Sequence, residues 1–311
     1  MSRGFAAPVA PPVPAAEAKV AGLDVVLYAV SIFAWSTSWI ALKMQTTAGV
    51  AAEVSVAWRF ALAAVLMFAL LAARRERLAF GPGDHLRFAG LGILLFSVNF
   101  YLFYLGGRFL TSGLLSVVFS LASIGNLLLA ALVLKQKITP RVGLGAGVGF
   151  VGIALIFWPE IAATHLGGDA LLGLGLCVAG TACFCTGNLV SGAAQRRGLP
   201  VLATNAWGMA YGAAAMALLA LAKGDDFAIP LEPVYLGSLV WLAVISSVVA
   251  FFCYLTLLGR IGSARAGYVT VVIPVFALLI STVAESYHWT GPAILGLAAV
   301  IAGNVVVLTR R

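Results

Sequence analysis

The chain has 311 residues, of which 62% are hydrophobic and 10% charged, with a formal net charge of +8. Soluble domains carry about 25% charged residues, so one water-soluble core cannot absorb this much apolar sequence. Runs of about 20 apolar residues match the hydrocarbon thickness of a bilayer, which excludes an ordinary soluble domain and points to an integral membrane protein.

In chain order, residues 1–22 (MSRGFAAPVAPPVPAAEAKVAG) are proline-rich and lack the apolar run of a signal peptide. They read as a disordered cytoplasmic tail. Ten apolar segments follow, separated by charged or Gly/Pro turns: 23–43, 50–73, 86–107, 111–134, 139–158, 169–192, 200–222, 234–258, 263–284 and 290–308. No soluble domain is expected at either end. The fold class is therefore an all-α membrane protein of ten transmembrane helices.

Positive charges set the orientation. With the N-terminus inside, the cytoplasmic ends hold Arg3, Lys19, Arg74, Arg75, Arg77, Arg87, Lys135, Lys137, Arg141, Arg196, Arg197, Arg260, Arg265, Arg310 and Arg311. The opposite side holds Lys43, Arg108 and Lys223. Both termini are thus expected in the cytoplasm, and the positive charge reflects topology rather than nucleic-acid binding.

The chain also repeats. Ala57, Trp58, Ala61, Ala64 and Met67 recur as Ala206, Trp207, Ala210, Ala213 and Met216, at an offset of 149. Phe100, Ser112, Thr139, Gly145 and Gly152 recur as Phe251, Ser263, Thr290, Gly296 and Gly303, at an offset of 151. Two ungapped blocks in order point to duplication. Five spans per half is an odd number, so the second half lies upside down. The expected units are 23–160 and 161–311, two inverted five-helix repeats (5+5), with a substrate site near the midplane between them.

FAWSTSWIALK (33–43), Arg59 in the second span, AESYHWTGPAILGLAAVIAG (284–303) and the five-plus-five plan together resemble the drug/metabolite transporter superfamily, in its EamA-type branch. The AWSTSW opening is similar to YddG-type amino-acid exporters. The resemblance implies a carrier in the bacterial inner membrane whose substrates include aromatic amino acids. It also implies a gating or structural role for Glu285; the corresponding end of the fourth span reads LVLKQK, with no acid.

Several residues are candidates for a substrate wall. Ser116, Ser120 and Ser123 follow i, i+4, i+7 spacing on the fourth span. Trp35, Ser38 and Trp39 share a face of the first, and Asn99 and Phe103 a face of the third. Repeat-related positions bring in Asn188 and Tyr254, and Thr270 lies four residues before Pro274. Such polar groups in lipid need partners, so they should face inward, either as interhelical hydrogen bonds or as the wall of a polar-aromatic cavity. A zwitterion with a large side chain suits that mixture: hydroxyls and amides for its ends, aromatic rings for its body.

Pro274 removes one helical bond and crowds the Thr270 carbonyl. With Gly262 and Gly267 before it, it is either a static kink or a flexing point. Arg59 sits about 12 Å inside its span at about 1.5 Å per residue. It either caps carbonyls and pairs with Glu53 or another outer acid, or it binds a substrate carboxylate. GVGFVG (147–152) fits a dinucleotide pattern but lies inside an apolar run, where small residues serve close helix packing. Cys177, Cys183, Cys185 and Cys253 all lie in apolar runs and read as small buried hydrophobes rather than a metal site or disulfide.

No Asp or Glu falls near the middle of a span: Asp24, Glu53 and Glu285 lie near ends, as do His85, His165 and His288 or in loops. Proton pumps use ionisable relays within the membrane, so facilitated diffusion is favoured, with a proton-coupled multidrug or metabolite exporter as the alternative. A membrane enzyme would need clustered carboxylates or His/Asp sets at membrane depth, and a channel a charge ring or repeated filter backbone. The expected partners are a small-molecule substrate and the lipid bilayer. No cofactor, metal, nucleic acid or obligate protein partner is expected.

Overall fold

The computed structural model describes residues 22–133, 135, 140–162, 167–261 and 268–308. Residues 1–21 of the expected 1–22 tail lie outside the described residues, as do Gly262 and Gly267, while Gly22 is already the first residue of α1. Every regular element among the described residues is helical: α1 (Gly22–Thr46), α2 (Ala52–Ala73), α3 (Pro82–Gly106), α4 (Ser112–Val133), α5 (Pro140–Ala162), α6 (Gly167–Arg196), α7 (Val201–Lys223), α8 (running from Pro233 to Ile261), α9 (Tyr268–Ala284) and α10 (Gly291–Leu308). The first eight are long and apolar enough to cross a membrane, and α9 and α10 are shorter apolar helices.

The element ends follow local chemistry. Pro82 and Pro233 open α3 and α8, where a missing N–H costs nothing. Gly224 closes α7 at φ 75°, a left-handed conformation that a side chain would resist. Two helices depart from α geometry in the middle. Leu94–Val98 in α3 and Trp241–Val249 in α8 are π-helical. Their wider turns redirect carbonyls that side chains then take up: the Asn99 amide donates to Leu95 O at 3.2 Å and the Ser247 hydroxyl to Leu242 O at 2.8 Å.

The helices pack as a bundle whose outward side chains include exposed Val65, Leu144, Trp158, Leu218 and Val283. A protein surface this apolar is one that lipid covers. The most extensive contacts join α5 to α10, α3 to α6 and α2 to α7; α1 packs on α8 and α9, α3 also on α7, α4 on α6 and α9, and α2 on the π stretch of α8.

Glycines allow the α5–α10 approach. A Cβ added at Gly152 would lie 2.6 Å from Gly296 O, and one at Gly145 would lie 2.8 Å from Gly303 O. The GVGFVG run is therefore a helix-packing surface. Its Gly147 faces open space, whereas Gly149 meets Ile124 of α4.

Polar links join distant parts of the chain near the helix ends. Asp24 pairs with Arg260 at 2.5 Å, and Glu53 pairs with Lys223. Glu285 accepts the Ser112 N–H at 2.9 Å and the Ser112 hydroxyl, satisfying a donor at the start of α4. Lys43 donates to Gly107 O at 2.5 Å and Leu110 O at 3.1 Å. Cys177, Cys185 and Cys253 are buried and Cys183 is half-buried, all as free thiols.

Candidate functional site

A cavity of about 460 Å³ lies between the helices, lined from α1, α2, α3, α4, α6, α8, α9 and α10. Small-molecule pockets run from about 300 to 1,000 Å³. Ten of the eleven wall residues expected from the sequence line it: Trp35, Ser38, Trp39, Asn99, Phe103, Ser120, Ser123, Asn188, Tyr254 and Thr270. Arg59 lines it too.

Ser116 does not. It is buried, and its hydroxyl finds no hydrogen-bond partner. The i, i+4, i+7 argument assumed one continuous helix, but α4 is interrupted at Leu121, where the N–H of Leu121 bonds back three residues to Val118 O at 3.1 Å. That turn alters the phase of Ser123 relative to Ser120, but Ser116 shares the uninterrupted Ser112–Ser120 segment with Ser120. It lies one turn further back, in the part of α4 that packs against α9, so its face is buried between helices before it reaches the cavity.

Aromatic rings form most of the wall. Trp39 stacks at tilted angles on Phe103 and Phe119, both at 5.3 Å, and Phe119 meets Phe184 edge-on at 4.7 Å. Trp35 lies 5.6 Å from Phe251 and 5.1 Å from Tyr254. The Trp35 indole also donates to Ser246 O, in the π stretch of α8, at 3.2 Å. This bond fixes the ring against the wall, because a buried indole N–H needs an acceptor.

The polar groups are mostly tied back. Ser38 donates to Trp35 O at 2.7 Å and Ser120 to Val117 O at 2.7 Å. Ser123 donates to Asn304, and Asn188 to Asn126 Oδ1 at 3.2 Å. Asn99 uses its amide N–H on Leu95 O, which leaves Oδ1 buried with no partner.

Arg59 stands apart. It is 3% exposed, and it does not pair with Glu53, which is held by Lys223 instead. Of the two roles the sequence left open, the one that used Glu53 as partner does not hold: Glu53 lies six residues, nearly two turns, before Arg59 and meets the end of α7. The Arg59 guanidinium lies over the Phe100 ring at 4.2 Å and near Phe60 at 5.0 Å. Its hydrogen bond from Nη2 to Ser247 Oγ is long at 3.4 Å, and Nε and Nη1 have no partner among the described residues. Among the described lining residues it is the only full charge.

Pro274 lies inside α9. Just before it, Ile273 O receives the Ser36 hydroxyl at 3.5 Å, which links the proline-bearing stretch to α1. Glu285 lies beyond the end of α9, on Ser112, away from the cavity. Sequence reasoning missed Asn126, Ser246 and Ser247. A signal existed for each: Asn126 is an amide three residues past Ser123, and Ser246–Ser247 is a hydroxyl pair inside the apolar run WLAVISSVV.

Many apolar helices gathered around a polar-aromatic chamber are the architecture of a multi-pass membrane protein with room for a small molecule. The EamA-like transporter family model matches the chain twice, over residues 23–158 and 171–309, and the chain belongs to that family. It is similar to an uncharacterized transporter, YyaM, of Bacillus subtilis, at 22% identity over 302 residues, covering 93% of this chain and 95% of the relative. It is also similar to an uncharacterized transporter of Archaeoglobus fulgidus, at 25% identity over 288 residues, covering 92% of this chain and 99% of that one. A solved structure described as "Crystal structure of protein" shares the fold, with a TM-score of 0.64 and 19% identity over 91% of this chain and 95% of the other.

Proposed function

We propose that the protein is a carrier that exports amino acids, large and aromatic ones foremost, across a bacterial inner membrane by alternating access without direct proton coupling. The cavity carries this reading. Its rings suit an apolar side chain, its hydroxyls and amides suit the polar ends of the ligand, and its described wall holds no carboxylate to relay a proton. Ten of the residues named from the sequence, with Arg59, would form the substrate wall.

The same reading takes the helices as two inverted halves, 23–160 and 161–311, with both termini inside. Exchanging each helix with the one five places along maps the observed contacts onto one another: α1–α8 onto α6–α3, α1–α9 onto α6–α4, and α2–α8 onto α7–α3. The π stretches fall in α3 and α8, which are partners under that exchange. Trp58 donates to Phe227 O at 3.2 Å and Trp207 to Leu78 O at 3.1 Å, so both donors and both acceptors are related by an offset of 149. Two copies of the family model in one chain support the same reading. In this orientation the Lys43, Glu53–Lys223 and Glu285–Ser112 links lie on the outer side.

Purified protein in liposomes tests the function. Preloaded amino acids should drive saturable counterflow of labelled phenylalanine or tryptophan, and nucleosides and cationic drugs should not. The flux is expected to continue after a protonophore collapses the proton gradient. Uphill accumulation that the protonophore abolishes would instead establish the proton-coupled exporter.

Pro274→Ala supplies a further expected result. Alanine favours a soluble helix interior by about 3 kcal/mol over proline, so the variant should insert and melt at or above the native temperature. If α9 flexes during transport, flux should fall several-fold while stability holds. Flux and stability falling together would make the kink a packing feature, and unchanged flux would remove Pro274 from the mechanism.

A further inference from the structure

We propose that Arg59 is the anion-binding residue of the cavity, so that the obligatory group of the ligand is a carboxylate on an aromatic or large apolar body. The inference rests on the transporter reading above and deepens it: it assigns which end of the ligand is recognised and by what.

The argument starts from the cost of the residue. A buried guanidinium is retained where it has an acid partner or a task. Among the described residues Arg59 has no acid partner: its ionisable neighbour is the neutral Tyr104, whose hydroxyl donates to Gln45 Oε1 at 2.5 Å, its Nε and Nη1 donors are unmatched, and its bond to Ser247 is long. The end-on edge of a guanidinium offers two parallel N–H groups, the geometry a carboxylate takes in a bidentate pair. On this edge Nη1 is unpartnered, and Nη2 keeps a second N–H beyond the one directed at Ser247.

The neighbours sharpen the class. Phe100 and Phe60 lie against the guanidinium, which stabilises the cation without competing for its N–H groups. They also present an apolar surface beside the anion position. No carboxylate among the described lining residues faces an ammonium group. An amine on the ligand meets only neutral acceptors, of which the Asn99 Oδ1 is buried and unpartnered. The amine is therefore accommodated, and the carboxylate is required. An amine without a carboxylate would bring a second positive charge to the site with nothing to neutralise it.

Three compounds that share one body test this: phenylalanine, 3-phenylpropionate (no amine) and phenethylamine (no carboxylate). Their affinities would be measured on the full-length protein in lipid nanodiscs, at a pH near 7. Phenylalanine and 3-phenylpropionate should bind and phenethylamine should not. Arg59→Gln should weaken both carboxylates at least tenfold and leave phenethylamine no weaker than before. Arg59→Lys keeps the charge and loses the fork, and should fall between. Monodispersity and melting of each variant separate lost binding from lost folding. If Arg59→Gln does not fold, the three-compound series on the native protein and on Arg59→Lys still decides.

If phenylalanine binds and Arg59→Gln binds it within twofold of native, the anion site is overturned and the amino-acid reading stands. If 3-phenylpropionate alone binds, the amino-acid reading falls and the anion site stands. Phenethylamine binding as tightly as the acids overturns the proposal, and binding of none of the three overturns both.

Discussion

Gly152→Ala is expected to lower the melting temperature of the purified protein, whereas Gly147→Ala, five residues earlier on the same helix, is not. The added Cβ at Gly152 would sit 2.6 Å from Gly296 O and 2.7 Å from Val300 N, both backbone atoms of α10 that no side-chain rotation can clear. The two helices must separate along their contact, and overpacking of this kind costs about 1–3 kcal/mol. At Gly147 an added Cβ meets nothing within 4 Å. There alanine gains helix propensity, about 1 kcal/mol in soluble hosts. Gly296→Ala, whose Cβ would meet Gly152 O at 2.5 Å, should repeat the Gly152 result from the other side. Thermal melts of the three variants in one detergent would check the contrast. Equal melting of Gly147→Ala and Gly152→Ala would mean that α5 and α10 do not pack through this face.

Arg59→Met should raise the melting temperature by several degrees while abolishing phenylalanine binding. Each buried donor left without a partner costs about 1–3 kcal/mol, and Arg59 has two. The methionine keeps an unbranched apolar stem against Phe60 and Phe100 and removes the charge. The native arginine recovers part of its cost from the stacked rings, about 0.5–2 kcal/mol, and little from a 3.4 Å contact to Ser247. A net gain in stability with loss of binding is the pattern of a residue kept for function. A lower melting temperature would instead make Arg59 a structural anchor, the other role that its position in the second span allowed.

Helix positions were legible because a bilayer demands long apolar runs and punishes anything else. The wall residues were legible because a polar group in such a run has to turn inward: Trp35, Ser38 and Trp39 do so together, as do Asn99 and Phe103. Local periodicity failed where the backbone changed period. Ser116 was misplaced because periodicity gives the face of a residue and not its depth: one turn before Ser120 that face is already packed against α9. The π stretches were invisible for a similar reason, since a wider turn leaves no hydrophobic signature. The Glu53–Lys223 pair was out of reach because it joins residues 170 apart in sequence. That pairing, in turn, is what leaves Arg59 without the acid the sequence offered it. The change of repeat offset has a simpler origin. Leu78 and Phe227 differ by 149 and Pro82 and Pro233 by 151, so the two extra residues fall in the loop before α8, where insertions are tolerated.

Arg59, the one cation among the described residues of the cavity wall, also makes the membrane potential an observer of the ligand. One elementary charge moved across the whole field is worth about 2.3 kcal/mol per 100 mV. A zwitterion adds no net charge, so the loaded and the empty protein carry Arg59 through the field alike. A monoanionic carboxylate cancels it, and then only the empty protein feels the voltage. If both acids dock on the Arg59 guanidinium as proposed, flux of phenylalanine and of 3-phenylpropionate should therefore respond differently to an imposed potential.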